Sequence, residues 1–320
     1  MIKFYKNRDF GTFITDCFSF FKHYGGNYFK NFILINGVVL LLLILVAYFG
    51  FKEFLGQIFG GNLSGESYYF EQYFQDNIAL FIGVGILLLI IYSLLMMLNL
   101  LYPVFFIHRI ANGQTSIKAD EIISDFKTNS GKVLRLFLGL ILLVIPVAMV
   151  ISMISYLLIF VFIGLPILLF VVPTIFNAII FLVYDYMYTN RGFFESLSYS
   201  IRTQFSYTNG REKSPYWKYW GSTTILFALY YIVTMIFSAI PMVLLITRLS
   251  IAPSTGNFED NPFQNGIGTV IAVLYGVMIV VSAFLMNVLY INSALQYFDS
   301  RRDLHQQLEM EEIDTIGLDG

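Results

Sequence analysis

The stretch "LFLGLILLVIPVAMVISMISYLLIFVFIGLPILLFVVPTIFNAIIFLVY", Leu136 to Tyr184, holds no charged side chain, and Arg135 and Asp185 bound it. A helix rises about 1.5 Å per residue and a bilayer core is about 30 Å thick, so roughly 20 residues make one crossing. The stretch is too long for one span. It fits two spans joined by a turn that scarcely leaves the membrane, near Ser152 to Tyr156. Pro146, Pro166 and Pro173 fall inside these two helices and are expected to kink them.

On either side the same arrangement recurs. Toward the N-terminus, Asn31 to Phe51 reads as the first span and Ile78 to Ile107 as the second, with Pro103 in its last turns. Toward the C-terminus, Tyr219 to Thr247 reads as the fifth, kinked at Pro241, and Gly266 to Phe298 as the sixth. The loop Lys52 to Asn77 is acidic and rich in aromatics, which places it on the interface. Arg248 to Asn265 is a Pro/Gly/Asn-rich loop, and Asp299 to Gly320 is an acidic tail with helical character from Arg301 to Glu312.

Composition agrees. The chain is 57% hydrophobic and 12% charged, against about 25% charged residues in a soluble domain. The lone cysteine, Cys17, excludes an internal disulfide. Charges from Lys3 to Lys30 interrupt any apolar core of a cleavable signal peptide, so the first span is expected to serve as its own insertion signal.

Between the spans lie amphipathic pieces. "RDFGTFITDCFSFFKHY", Arg8 to Tyr24, sets Phe10, Phe13, Ile14, Cys17, Phe20, Phe21 and Tyr24 at helical spacing, and Gly25-Gly26 is expected to end it. "ADEIISDFKTNSGK" follows the second span and "RGFFESLSYSIRTQF" the fourth. Each piece leads to a lone cation at the entrance to a span: "YFKNF" at Lys30, "VLRLF" at Arg135 and "YWKYW" at Lys218. The predicted fold is therefore all-α and integral to the membrane, with six transmembrane helices as three hairpins. Each hairpin follows a cytoplasmic interfacial helix. The repeat units are about 1–108, 109–185 and 186–298, with a tail at 299–320, all within one membrane domain. All of the 19 Lys and Arg except Lys52 and Arg248 fall in the segments assigned to the inside. That asymmetry predicts a cell inner (cytoplasmic) membrane protein with both termini cytoplasmic.

"FGTFITDCFSFFKHYGGNYFKNFILI", "FFESLSYSIRTQFSYTNGREKSPYWKYWGSTTIL" and "LQYFDSRRDLHQQLEMEEIDTIG" together resemble bacterial multi-pass proteins similar to the membrane domain of glycerophosphoryl diester phosphodiesterases. The Ile-Asp-x-Ile-Gly ending is most like the Bacteroidota form. The resemblance covers nearly the whole chain and implies an integral membrane fold. It carries over no phosphodiesterase activity, because the soluble catalytic domain of some relatives is not in this sequence. Some relatives bear a carotene-oxygenase description. Carotenoid oxygenases typically hold iron with four histidines, and this chain has His23, His108 and His305.

No HExxH, CxxC, GxSxG, Walker or GxGxxG pattern occurs, so a non-catalytic protein without a cofactor is expected. Asn99, Asn177, Asn287 and Asn292 lie within spans and Asp185 ends one, so their side chains should point into the bundle. They form either interhelical hydrogen bonds or a polar site among the even-numbered spans. Lys30, His108, Arg109, Arg135, Arg191 and Lys218 are candidate headgroup contacts on an inner face interleaved with aromatics. Cys17 reads as a small hydrophobe, with palmitoylation as the functional alternative. The expected partners are lipids of the anionic inner leaflet or another membrane protein, and not nucleic acid. The competing reading is a transporter or lipid-handling protein built on the asparagines.

Overall fold

A computed structural model describes residues 3–61, 72, 74–207, 213–251, 266–301 and 304. The chain is an all-α multi-pass membrane protein: it has six helices long and apolar enough to cross a bilayer, and no strand among the described residues. In chain order the helices are α1 (Phe10–Gly61), α2 (Ile78–Ala111), α3 (Ala119–Thr128), α4 (Ser130–Gly139), α5 (Ile145–Leu157), α6 (Gly164–Tyr188), α7 (Phe193–Phe205), α8 (Tyr216–Ile251) and α9 (Gly266–Ser300). The third span is α4 and α5 joined by a wider π-helical segment, Leu140–Val144.

The first departure from the sequence reading is α1. It runs unbroken through Gly25-Gly26 and past Phe51, where a surface helix, a gap and a loop were expected. A glycine inside a helix costs only about 0.5–1 kcal/mol relative to alanine, which packing overrides. The packing is visible: Phe13, Cys17, Phe20 and Tyr28 are fully buried, so this stretch lays its apolar side against protein. Asp9 starts the helix, its Oδ1 accepting from Thr12 N at 2.7 Å and Thr12 Oγ1 at 2.6 Å. These bonds hold the Asp9 carboxyl below its ordinary pKa.

The second departure is the turn of the central hairpin. It comes later than Ser152–Tyr156: α5 continues to Leu157, a 3-10 turn spans Leu158–Val161, and α6 begins at Gly164. Pro166 consequently sits in the first turn of α6, where its missing N–H and fixed φ cost nothing, and it does not kink the helix interior. Pro146 comes two residues after the π segment, in the first turn of α5, and such a bulge is a usual way to seat a proline ring within a continuous span. Pro173 lies inside α6 as read.

The chain divides into two compact units that cut across the three-part plan of the sequence. The first comprises Met1–Phe32, Leu100–Ala228 and Asn287–Gly320. It holds nearly all the fully buried side chains, among them Tyr102, Phe105, Phe106, Phe181, Tyr184 and Tyr219. The second comprises Ile33–Asn99 and Leu229–Met286. Its helices meet at small residues: a Cβ on Gly276 would lie 3.3 Å from Ile44 Cγ2, and one on Gly50 would strike Val84. Much of its remaining surface is apolar and exposed, as at Leu89, Val38 and Met235, as expected of spans facing lipid. The loops Lys52–Asn77 and Arg248–Asn265 and the tail beyond Asp299 lie wholly or partly outside the described residues.

α7 (Phe193–Phe205) occupies the place of the third amphipathic piece. Its buried residues are Ser196, Ser200, Thr203 and Gln204. Phe194, Ile201 and Phe205 are 69%, 47% and 49% exposed. The helix thus turns small polar groups inward and its apolar side outward. Inside, Gln204 Nε2 donates to Ser200 O and Thr203 Oγ1 to Tyr199 O, so the buried polar groups are satisfied mainly on their own helix.

Candidate functional site

In the first unit the polar side chains gather into three clusters. The largest surrounds Asp299, a fully buried residue in the last turn of α9. Its Oδ1 accepts from the Arg8 backbone N–H at 2.7 Å, and its Oδ2 from Tyr219 OH at 2.7 Å and Tyr207 OH at 3.4 Å. Lys218 Nζ lies 2.8 Å from Oδ2 and also donates to Arg8 O at 2.6 Å. The ammonium sits 5.4–5.5 Å from the ring centres of Phe13, Tyr207 and Tyr219. Cation–π attraction therefore adds to the ion pair. Beside it the buried Arg8 guanidinium pairs with Asp16 at 2.9 Å and donates to Phe4 O and Lys3 O, both at 2.6 Å. Burial lowers the pKa of Arg8, and Asp16 opposes that shift.

The second cluster surrounds Asp185. Its Oδ1 accepts from Arg191 Nη1 at 2.7 Å and Tyr297 OH at 3.4 Å, while Arg301 Nη1 donates to the same tyrosine oxygen at 3.0 Å. Arg191 also lies 4.3 Å above the Tyr199 ring.

The third cluster lies among α6, α8 and α9. Asn177 Oδ1 accepts from Thr223 Oγ1 at 3.1 Å and Ser293 Oγ at 2.6 Å. Asn292 Nδ2 donates to Thr223 Oγ1 at 3.1 Å. Gln296 Nε2 donates to Thr223 Oγ1, Ser222 Oγ and Tyr219 O at 2.8–3.1 Å. Asn177 Nδ2, Asn292 Oδ1 and Gln296 Oε1 have no partner among the described residues, a pattern suited to ordered water. Replacing Asn177 by leucine removes the acceptor shared by Thr223 and Ser293. Intramembrane hydrogen bonds average about 0.6 kcal/mol, so the variant is expected to lose about 1 kcal/mol, read as a small drop in thermal midpoint in detergent.

The other residues marked by the sequence fall apart from this network. Asn287 accepts a 2.6 Å hydrogen bond from Tyr28 OH, and Tyr102 OH donates to Tyr28 O. Asn99 belongs to the second unit, where its Oδ1 is buried without a partner among the described residues. Arg109 forms a two-pronged pair with Asp125, 2.7 Å from Nε and 2.8 Å from Nη2. His108 stacks on Tyr188 with ring centres 3.6 Å apart and contacts Asn112. Of the six candidate headgroup contacts, Arg109, Arg191 and Lys218 are thus committed to carboxylates within the chain. Lys30 and Arg135 are exposed and pair with no carboxylate among the described residues; Arg135 Nε bonds only to Gly131 O in its own helix. The three cations with matching places in the repeat therefore have different fates.

Sequence reading passed over Gln296, Ser293, Thr223, Arg8 and Asp16. A signal was available for α9: Asn292, Ser293, Gln296, Asp299 and Ser300 recur at helical spacing on one side. Arg8 and Asp16 carried none, since their pairing depends on how the N-terminal stretch folds back. Among the described residues no group of three or more His, Cys, Asp or Glu is placed to hold a metal ion. The chain matches no protein-family model, no curated protein and no solved structure.

Proposed function

We propose that this chain is a non-catalytic module of a bacterial inner membrane, with cytoplasmic termini, that holds anionic lipid against its basic, aromatic face. The observation that carries the reading is the orientation of α7. A surface helix that buries serines and presents Phe194, Ile201 and Phe205 beside Arg202 suits the boundary between headgroups and acyl chains. Exposed Lys22, Lys30 and Arg135 add cations without carboxylate partners among the described residues. The buried ion pairs are structural on this reading: Asp185 and Asp299 each have a cation of their own, and His108 and Arg109 point to neither. The transporter alternative gains little, because Asn177 and Asn292 bond to side chains of neighbouring helices.

Each Lys or Arg near an anionic surface contributes about 1 kcal/mol. The triple variant Lys22→Gln, Lys30→Gln, Arg135→Gln is therefore expected to lose most of its enrichment of anionic over zwitterionic lipid. Mass spectrometry of lipids co-purified in mild detergent measures this. Unchanged enrichment would rule the reading out.

A further inference from the structure

One apolar groove of about 430 Å³ lies in the first unit, apart from the three polar clusters. The third span lines it with Val147 and Ile151, α6 with Ile175 and Ala178, and α7 with Ile201 and Phe205. Its two polar residues already have partners within the chain: Thr174 Oγ1 donates to Phe170 O and lies 3.2 Å from Tyr216 OH, and Gln204 Nε2 donates to Ser200 O. The groove exists because α7 is oriented as it is; the opposite orientation would put the serines in its wall. Phe194 lines this groove and also a second hollow of about 780 Å³, whose lining includes Arg191, Glu195, Tyr199 and Arg202. An apolar slot and a cationic hollow therefore meet at one exposed phenylalanine. The Arg202 guanidinium makes no hydrogen bond or ion pair among the described residues, unlike Arg191.

We infer that this pair of hollows is a binding site for one anionic glycerophospholipid, an acyl chain in the groove and the phosphate at Arg202, with Phe194 between them. The inference rests on the lipid-binding reading and makes it specific to one site. The occupant follows from chemistry. The groove is walled by two spans and by α7, and its volume lies within the roughly 300–1,000 Å³ of small-ligand sites. A packed helix, about 10 Å across, needs more room and offers nothing to Arg202. An acyl chain fills the slot without polar loss, and a phosphate gives Arg202 the charge-assisted bonds it lacks.

The test uses the full chain in mild detergent. Native mass spectrometry would count bound phospholipid after addition of phosphatidylglycerol or phosphatidylcholine. The wild type is expected to retain one phosphatidylglycerol. The double variant Ala148→Phe, Ala178→Phe, which fills the groove, should lose it, while Leu142→Phe outside the lining should keep it. Arg202→Gln should reduce the preference for phosphatidylglycerol about fivefold, the effect of removing one surface cation. Phosphatidylglycerol with a photoreactive acyl chain gives a reading that needs no variant: labelling should fall on peptides containing Val147, Ile151 or Ile201. Retention undiminished by groove filling, labelling elsewhere, or labelling of a second polypeptide would each overturn the site. The wider reading stands apart, since bulk enrichment depends on Lys22, Lys30 and Arg135, which groove filling leaves in place.

Discussion

Asp299→Ala is expected to destabilise the first unit by about 3–5 kcal/mol, the usual result of removing one partner of a buried ion pair. The carboxylate is fully buried and Lys218 is 18% exposed, so the ammonium left behind has little access to water. The Arg8 N–H and Tyr219 OH also lose their acceptor. Thermal unfolding in detergent, followed by near-UV signals of the aromatic residues, would report the loss as a large drop in midpoint. The double variant Lys218→Met, Asp299→Leu should recover part of it, because no uncompensated charge remains. Recovery should be incomplete, since the two stranded donors still cost about 1–3 kcal/mol each. An Asp299→Ala midpoint within a degree of wild type would show that the cluster is not what closes this unit.

Gly164→Ala should be the other severe change. A Cβ there would meet Ser155 O, Ile159 N and, at 2.7 Å, Leu158 C, all backbone atoms of the turn that joins the central hairpin. No side-chain rotation relieves them, so the loss is expected at or beyond the top of the roughly 1–3 kcal/mol typical of overpacking. Gly139 gives the contrast. A Cβ there would meet the Phe193 ring, with Cδ2 at 2.8 Å, and a ring at the start of α7 can swing aside. Gly139→Ala should therefore be milder. Gly26→Ala, with nothing within 4 Å, should stabilise α1 by about 0.5–1 kcal/mol. Melting the three variants side by side checks the order; equal midpoints for Gly164→Ala and Gly139→Ala would refute the steric argument.

The spans were legible because hydrocarbon imposes one rule on every residue of a crossing: few charges for about 20 positions. That rule located α2, α8 and α9, and the end of α6, to within a few residues. It says nothing about where a helix stops once it leaves the hydrocarbon, so Gly25-Gly26 was read as a boundary that packing at Phe20 and Tyr28 overrides. It also misplaces a turn inside an uncharged run, where no charge marks the position and the close approach of Gly164 to the Ser155 backbone does. The amphipathic pieces also differ in a way the pattern alone does not show: the first buries Phe13, Cys17 and Phe20 against protein, whereas α7 leaves Phe194, Ile201 and Phe205 exposed. In water an amphipathic helix buries its apolar side, but beside a bilayer either side can find a suitable solvent. The asparagines were legible as buried groups. Their partners Thr223, Ser293 and Gln296 were not, since a hydroxyl can bond to its own helix and so gives little sign of a role between helices.

The Asp299 cluster has a consequence for the order in which the protein is made. Arg8 and Lys218 belong to stretches synthesised long before the last span, and the carboxylate both of them meet comes from the end of that span. Until α9 is in place, the Lys218 ammonium and the Arg8 backbone N–H both lack the Asp299 carboxylate they meet in the finished molecule. A nascent chain that stalls earlier thus displays an unneutralised cation where the finished molecule has a sealed joint. Closure of the first unit around Asp299 is therefore expected to wait for the sixth span.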